Sequence, residues 1–163
     1  KMIKNREVNF MAIKINRADD SCVDKVAPLF DAYRGFYGQP SNLQESRDFL
    51  AQRLNLNSST IFYAQDELGE TIGFVQLYPT FSSVSARRTW LLNDLYATDA
   101  ARGRGVGTAL LDAAKEFVIS TGAKGILLET GRSNNGAQRL YEAQGYVRDT
   151  GYYTYYLESP RVS

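Results

Sequence analysis

The sequence contains no histidine and a single cysteine, Cys22. These two scarcities exclude an internal disulfide, a zinc site built from cysteine and histidine, and catalytic pairs in which histidine activates a serine or a cysteine. A lone free cysteine also suits a reducing compartment. Any acid–base chemistry in this protein must therefore depend on groups other than histidine.

An excess of one charge and long hydrophobic runs are also missing. The chain has 19 basic and 18 acidic residues, a net charge of +1 and no block of like charges, so it lacks the basic footprint of a nucleic-acid binder. No run approaches transmembrane length, and the N-terminal residues lack the apolar core of a signal peptide. We therefore expect a cytoplasmic protein with no nucleic-acid or membrane partner.

The 163 residues suit one domain with a core of its own. Lys1 precedes the first methionine, and a second methionine, Met11, opens a stretch that alternates like a strand. We expect residues 1–10 to be an appended remnant or a flexible lead-in. The domain is then expected to span residues 11–163.

Hydrophobic periodicity predicts a mixed α/β domain with the order β-α-α-β-β-β-α-β-α-β-β. The strands are expected within 12–18, 60–65, 71–79, 89–97, 126–130, 146–149 and 152–158, and the helices within 19–33, 43–54, 106–118 and 134–145. One β-α-β crossover lies in the middle of this order. Ligands of open α/β sheets bind at such strand ends.

A cluster of three glycines and two arginines, RGRGVGT, fills residues 102–108 at the strand-to-helix turn of the crossover. A helix N-terminus presents unpaired amides and the positive end of the helix dipole, and glycines allow an anion to approach closely. Arg102, Arg104 and Thr108 add donors. The pattern favours phosphate or pyrophosphate, and the alternative is a tight turn whose glycines serve packing alone.

Three phosphate-binding patterns compete for this cluster. A Walker loop requires Gly-Lys-Ser/Thr, which the sequence lacks. The dinucleotide pattern G-x-G-x-x-G fits Gly103 and Gly105 but meets Thr108 at its third glycine, although Glu129 follows where a ribose-binding acid is expected. The third pattern, [RQ]-x-x-G-x-[GA], is met in full by Arg102, Gly105 and Gly107.

Two motifs make residues 90–147 resemble the GNAT superfamily of N-acetyltransferases, which bind acetyl-coenzyme A (acetyl-CoA). The first is LYATDAARGRGVGTALL, with its strand, glycine loop and helix. The second is N-x-x-A-x-x-L-Y-x-x-x-G-[FY]. It is met by Asn134, Ala137, Leu140, Tyr141, Gly145 and Tyr146. The resemblance implies the GNAT fold, acetyl-CoA as cofactor and transfer of an acetyl group to a primary amine. The acceptor is expected to be a small amine, such as a polyamine or an amino acid, or a lysine side chain.

The resemblance also assigns cofactor contacts. The pyrophosphate of coenzyme A (CoA) is expected on the loop amides, and Asn134 and Ala137 belong to the second cofactor motif. The pantetheine arm is expected along the backbone of the preceding strand, at Leu95, Tyr96 and Ala97. The loop residues concerned are Arg102, Gly103, Arg104, Gly105, Val106, Gly107 and Thr108.

Three residues are candidates for acid–base roles. Tyr141 matches the tyrosine that protonates the leaving thiolate, its alternative being a core aromatic of an amphipathic helix. Asp94 and Glu129 are candidates for the base that accepts the amine proton, directly or through water. Asn93 replaces the acid that some relatives carry before Asp94. Either carboxylate could instead bond to backbone or pair with an arginine.

The acceptor site is expected between the 33–42 loop, the 80–88 segment and the C-terminal hairpin. Its aromatic candidates are Tyr33, Phe36, Tyr37, Tyr78 and Phe81, which suit an aliphatic or aromatic amine. Arg34, Arg87 and Arg88 would suit an acceptor that carries a carboxylate. We expect a homodimer. The rival functions are a non-catalytic acyl-CoA sensor and a dinucleotide-binding module.

Overall fold

The computed structural model describes residues 12–160, which form five strands and four α-helices. The strands are β1 (Lys14–Arg17), β2 (Thr60–Gln65), β3 (Thr71–Ser82), β4 (Arg87–Ala97) and β5 (Ile126–Leu128), and the helices are α1 (Val23–Phe36), α2 (Leu43–Asn55), α3 (Val106–Ser120) and α4 (Asn135–Ala143). This order confirms the α/β class and the first nine predicted elements. Residues 1–10, expected to precede the domain, lie outside the described range.

The five strands form one mixed sheet in which spatial order follows chain order. Strands β1 to β4 are antiparallel neighbours: helices α1 and α2 lie between β1 and β2 along the chain, and short turns join β2 to β3 and β3 to β4. Strand β5 is parallel to β4 and is reached through α3, as a parallel connection requires. The chain divides into two compact units after Glu129, and the whole sheet belongs to the first unit.

Helices cover both faces of this sheet: neighbouring residues of β3 contact α3 on one face and α1 on the other. A Cβ on Gly73 would lie 2.8 Å from Val106 and 3.2 Å from Leu110, so α3 packs closely on that face. Phe74 points to the opposite face, where its ring meets Phe30 of α1 at 6.1 Å. Alternation along β3 therefore places Gln76 and Tyr78 on the α1 side, together with Phe74.

The second unit, from Thr130 onward, contains α4 and the residues that follow it. The Asn134 side chain caps α4 by accepting a hydrogen bond from the Ala137 amide, as its sequence predicts. The predicted hairpin over 146–149 and 152–158 is not formed in the described chain. Tyr152, Tyr153, Tyr155 and Tyr156 are exposed, so they lack the sheet packing from which β propensity arises.

Among residues 12–160, no helix is both long enough and apolar enough to cross a bilayer.

Candidate functional site

An irregularity in β4 organises the candidate site. Gln76 of β3 lies opposite Asp94, whereas its neighbour Leu77 lies opposite Leu92, so Asn93 is an extra residue on β4. Such a β-bulge re-aims the side chains beside it and is common next to active sites. The register places Asp94 directly across from Gln76, on the sheet face that α1 covers.

Asp94 is buried, with only 2% of its surface exposed. Its carboxylate accepts hydrogen bonds from the side-chain amide of Gln76 and, at 2.9 Å, from that of Asn93. Burial raises the pKa of Asp94, and the hydrogen bonds from Gln76, Asn93 and Tyr33 offset part of that rise. A raised pKa makes this carboxylate a better proton acceptor than an ordinary aspartate.

A cavity of about 420 Å³ lies against Asp94. It is lined by Phe30, Tyr33, Arg34, Tyr37, Gln39, Glu45, Phe49, Tyr78, Asn93 and Asp94. The Tyr33 hydroxyl donates a hydrogen bond to the Asn93 carbonyl oxygen at 3.1 Å, which joins α1 to the bulge. Burial, followed by the Asp94 charge, raises the pKa of Tyr33 and of Tyr78, so both remain hydroxyls.

The cavity brings together several acceptor-site residues that the sequence singles out, namely Tyr33, Tyr37 and Tyr78 with Asp94. Phe36 and Phe81 are exposed and do not line it, and neither does Glu129, which follows β5. Tyr33 and Phe36, expected in a loop, lie on the last turns of α1 because that helix continues to Phe36.

Sequence reasoning missed four lining residues, Phe30, Gln39, Glu45 and Phe49. The spacing of Phe30 and Phe49 assigns both to the helical core, and they do stack on each other at 5.4 Å while also facing the cavity. Glu45 gives no signal, since a glutamate in the first turn of a helix is ordinary. Its role depends on Arg34, to which it forms a 2.7 Å ion pair.

The C-terminal half of β4 has an open edge. Strand β5 pairs only with Trp90, Leu91 and Leu92, and no strand in residues 12–160 continues that pairing. The Thr98 amide bonds to the Ile72 carbonyl, so by alternation the backbone groups of Leu95 and Ala97 point away from β3. The Ala97 carbonyl there accepts a hydrogen bond from Arg102 at 3.2 Å. The pantetheine positions predicted at Leu95 and Ala97 thus lie on an unpaired edge.

The glycine loop leads directly from this edge into α3. Gly103 and Gly105 adopt positive φ values of 73° and 86°, and a Cβ on either would meet no atom within 4 Å. Gly105 is the N-cap residue, and no side chain of the described chain caps this helix. The first amides of α3, those of Val106, Gly107 and Thr108, are thus free of a side-chain cap, as an anion site requires.

The arginines of the loop have different surroundings. Arg102 pairs with Asp99 at 2.8 Å and lies 5.8 Å from the centre of the Tyr96 ring. Both arginines are exposed. Arg102 is held by contacts within the turn, and Arg104 forms no ion pair with any residue of the described chain.

In the second unit, Tyr141 and Asn134 both belong to α4 or its cap. Tyr141 is buried, and its ring lies 5.7 Å from that of Tyr146, whose pKa burial raises to about 12. The Tyr146 amide also bonds to the Tyr141 carbonyl, which closes the helix. The motif tyrosine is therefore held in a fixed position by its own helix end.

Comparison with known proteins identifies the class to which this fold and site belong. The model of the acetyltransferase (GNAT) family matches residues 26–146. The uncharacterized N-acetyltransferase YhfO of Bacillus subtilis is 47% identical over 148 residues, covering 91% of this chain and 99% of its own. A crystal structure of a probable acetyltransferase is 40% identical, with a TM-score of 0.85 over 91% of this chain and 99% of that chain.

A more distant structure shares the fold with CoA bound. An aminoglycoside N-acetyltransferase in complex with CoA is 18% identical, with a TM-score of 0.74 over 91% of this chain and 95% of that chain. The chain belongs to the GNAT family and is an N-acetyltransferase that uses acetyl-CoA.

Proposed function

We propose that this enzyme transfers the acetyl group of acetyl-CoA directly to a small primary amine bound in the cavity beside Asp94. The observation that carries the proposal is the position of a buried carboxylate at a bulge of β4, between an aromatic cavity and the unpaired strand edge. One strand thereby offers a proton acceptor to the amine and backbone groups to the cofactor.

The acceptor amine must lose a proton before its nitrogen can attack. Asp94 accepts that proton, directly or through a water molecule, and its raised pKa suits the task. Tyr33 and Asn93 keep the carboxylate region fixed through the hydrogen bond between them. Glu129, the other candidate base, does not line this cavity.

The neutral nitrogen then attacks the thioester carbonyl carbon and forms the new C–N bond. As the C–S bond breaks and CoA leaves as a thiolate, the nitrogen, which became cationic on attack, loses a second proton to water. We assign the protonation of the thiolate to the hydroxyl of Tyr141, the tyrosine of the second motif, which regains its proton from water. The α3 amides bind the pyrophosphate, and Leu95 and Ala97 bind the pantetheine arm through their backbones.

Direct transfer is favoured over an acetyl-enzyme intermediate. The single cysteine, Cys22, is buried in the core cluster with Val26, Phe30 and Tyr63, and it does not line the cavity. A thiol in that position offers no accessible nucleophile. The amine and acetyl-CoA are therefore expected to bind together in a ternary complex.

The test is acetyl-CoA-dependent thiol release across a panel of polyamines, amino acids, arylalkylamines, aminoglycosides and a lysine-rich peptide. Release with at least one small amine supports the proposal. Release with the peptide alone, or no release from protein that binds CoA, contradicts it and favours a macromolecular acceptor or an acyl-CoA sensor.

The role of Tyr141 has a test of its own. Tyr141→Phe removes the hydroxyl and keeps the ring, so turnover is expected to fall by about 10- to 100-fold while the Kd for CoA stays within about twofold. Tyr146→Phe is the matched control on the same unit. Equal turnover in Tyr141→Phe and the parent enzyme would remove this tyrosine from the mechanism.

The homodimer and the cytoplasmic location stay predictions. The support for the dimer is the exposure of Tyr152, Tyr153, Tyr155, Tyr156 and Leu157, each 87–93% accessible. Sedimentation equilibrium would decide between dimer and monomer.

A further inference from the structure

We infer that the acceptor is a primary amine with an apolar body, and that the cavity selects against acceptors that carry a carboxylate. The inference rests on the proposed function, since it concerns what occupies the same cavity. It follows from the aromatic residues in the cavity wall and from the carboxylates that pair with Arg34, the one cationic residue that lines the cavity within the described chain.

Half of the lining residues are aromatic. The five aromatic residues among the ten are Phe30, Tyr33, Tyr37, Phe49 and Tyr78. Phe30 stacks on Phe49 at an interplanar angle of 14°, and Tyr37 meets Tyr33 edge-on at 5.1 Å. Fixed rings of this kind bind an apolar or aromatic body by contact area and by edge and face geometry.

Among residues 12–160, Arg34 is the only cationic side chain that lines the cavity, and its charge is already matched. Its Nη2 lies 2.7 Å from Glu45 and its Nη1 lies 4.0 Å from Asp31. The same Nη1 donates a hydrogen bond to the Ser46 hydroxyl at 3.3 Å. An acceptor carboxylate would therefore meet a guanidinium whose charge Glu45 and Asp31 already balance.

The acidic partner of Arg34 on α1 is held firmly in its ionised form. Asp31 accepts hydrogen bonds from the Ser41 hydroxyl, the Asn42 amide and the Ser46 hydroxyl. These bonds, the one from Ser41 foremost, lower the pKa of Asp31. Asp31 and Glu45 thus both pair with this guanidinium, and Asp94 adds a further carboxylate to the cavity wall.

A second arginine lies behind the cavity wall. Arg53 lies 5.2 Å from the centre of the Phe49 ring, and its charge offsets part of the rise in the pKa of Tyr78, but it is not a lining residue. A carboxylate that entered the cavity would therefore be partly desolvated without a free cation in the cavity wall, and it would face the Asp94 charge. Both terms disfavour amino acids and leave uncharged amines unaffected.

The experiment compares three acceptors that share one aromatic ring and differ at the α carbon: phenethylamine, phenylalaninamide and phenylalanine. Phenethylamine and phenylalaninamide are expected to release thiol from acetyl-CoA. The kcat/KM of phenylalanine, calculated on the concentration of unprotonated amine, is expected to be at least about tenfold below that of phenylalaninamide, because a binding site discriminates strongly where it leaves a polar group unpaired. Phenylalaninamide controls for the bulk of the α substituent, and spermidine represents a charged body.

A variant tests the cause of the discrimination. Glu45→Gln releases Arg34 from one carboxylate, so the ratio of phenylalanine to phenylalaninamide kcat/KM is expected to rise by about threefold, the scale of one partly exposed ion pair. Glu70→Gln, an exposed glutamate in the β2–β3 turn outside the cavity, is the matched control and should leave the ratio unchanged.

Several outcomes would overturn the inference. Phenylalanine turnover equal to or above that of phenylalaninamide would show that the cavity accepts a carboxylate. Spermidine preferred over phenethylamine would show that the body is charged. Thiol release with none of these amines, nor with any small amine, from protein that binds CoA would instead overturn the proposed function itself.

Discussion

The two halves of β4 differ although they form one strand. The first half, from Arg87 to Leu92, pairs with β3 on one side, and its residues 90–92 also pair with β5 on the other side. Trp90 and Leu92 are buried. From Asn93 to Ala97 it pairs with β3 alone, begins with a bulge and buries a carboxylate. The first half stabilises the sheet, and the second half presents polar groups to a cavity and an open edge.

The contrast between the two halves indicates where the site's reactivity arises. The paired half satisfies its backbone groups within the sheet and gains free energy from burial. The second half, which has no partner on the side away from β3, leaves backbone donors and acceptors for the cofactor. It also buries Asp94, and this burial raises the pKa of that residue. Changes in the first half should therefore lower stability, and changes in the second should lower turnover.

The largest effect is expected for Asp94→Asn. The amide keeps the shape of the side chain and can still accept a hydrogen bond from Gln76, but it cannot accept the amine proton. Turnover is expected to fall by about 10²- to 10⁴-fold. The measurement is kcat from thiol release at saturating acetyl-CoA and amine.

Stability separates this loss from misfolding. Burial raises the pKa of Asp94 in the folded state above its value in the unfolded chain. The free energy of unfolding therefore falls as the pH rises from the unfolded-state pKa through the folded-state pKa, because the folded protein must then bury an ionised carboxylate. The neutral amide avoids that cost but loses one of the two accepting oxygens, so the Tm of Asp94→Asn at neutral pH should stay within a few degrees of that of the parent enzyme. A Tm several degrees lower, or turnover close to that of the parent, would refute the assignment.

Leu92→Ala tests the paired half. Leu92 is 3% exposed, so its truncation should reduce the free energy of unfolding by about 2–5 kcal/mol. Chemical denaturation measures this loss, and Leu95→Ala, at a half-buried position, should cost clearly less. A larger loss in Leu95→Ala would reverse the contrast between the two halves.

Gly105→Val tests the loop that continues the second half of β4. A valine at φ 86° is strained and would place a branched side chain in the space in front of the α3 amides. The Kd for CoA is expected to rise by about tenfold or more, since the amides are the anion site. Calorimetric titration with CoA gives this value.

Gly69→Val is the control for backbone strain. Gly69 has nearly the same conformation, with φ 81°, and lies in the β2–β3 turn, where a Cβ would meet no atom within 4 Å. Both variants should lose similar stability, but only Gly105→Val should lose affinity for CoA. Equal affinities in the two variants would show that the loop does not bind the cofactor.

Much of the fold follows from local sequence signals. Alternation identifies the strands through β4, and the spacing of Val106, Leu110, Ala114 and Val118 identifies α3, whose buried face they form. The C-terminal hairpin prediction is wrong because Tyr152 to Leu157 have high strand propensity but no sheet face to pack against in the described chain. Propensity indicates that a segment can form a strand and does not supply its partner.

The site is predictable to a smaller degree. The glycine loop and α4 carry motifs with fixed spacing, whereas the bulge at Asn93 depends on the register between two strands, which composition does not reveal. The pairing of Arg34 with Glu45 links α1 to α2 across eleven residues, so Arg34 looks available for an acceptor carboxylate in the sequence alone. Local sequence patterns do not reveal tertiary contacts of this kind.

The pH dependence of kcat/KM, compared between the parent enzyme and Asp94→Asn, shows whether Asp94 is the base. The rising limb of the parent profile is expected to contain two ionisations, that of the acceptor amine and, at lower pH, that of a carboxyl whose pKa lies above the ordinary aspartate range. The residual activity of Asp94→Asn should retain only the limb of the amine. The same two limbs in both proteins would contradict the role of Asp94 as the base.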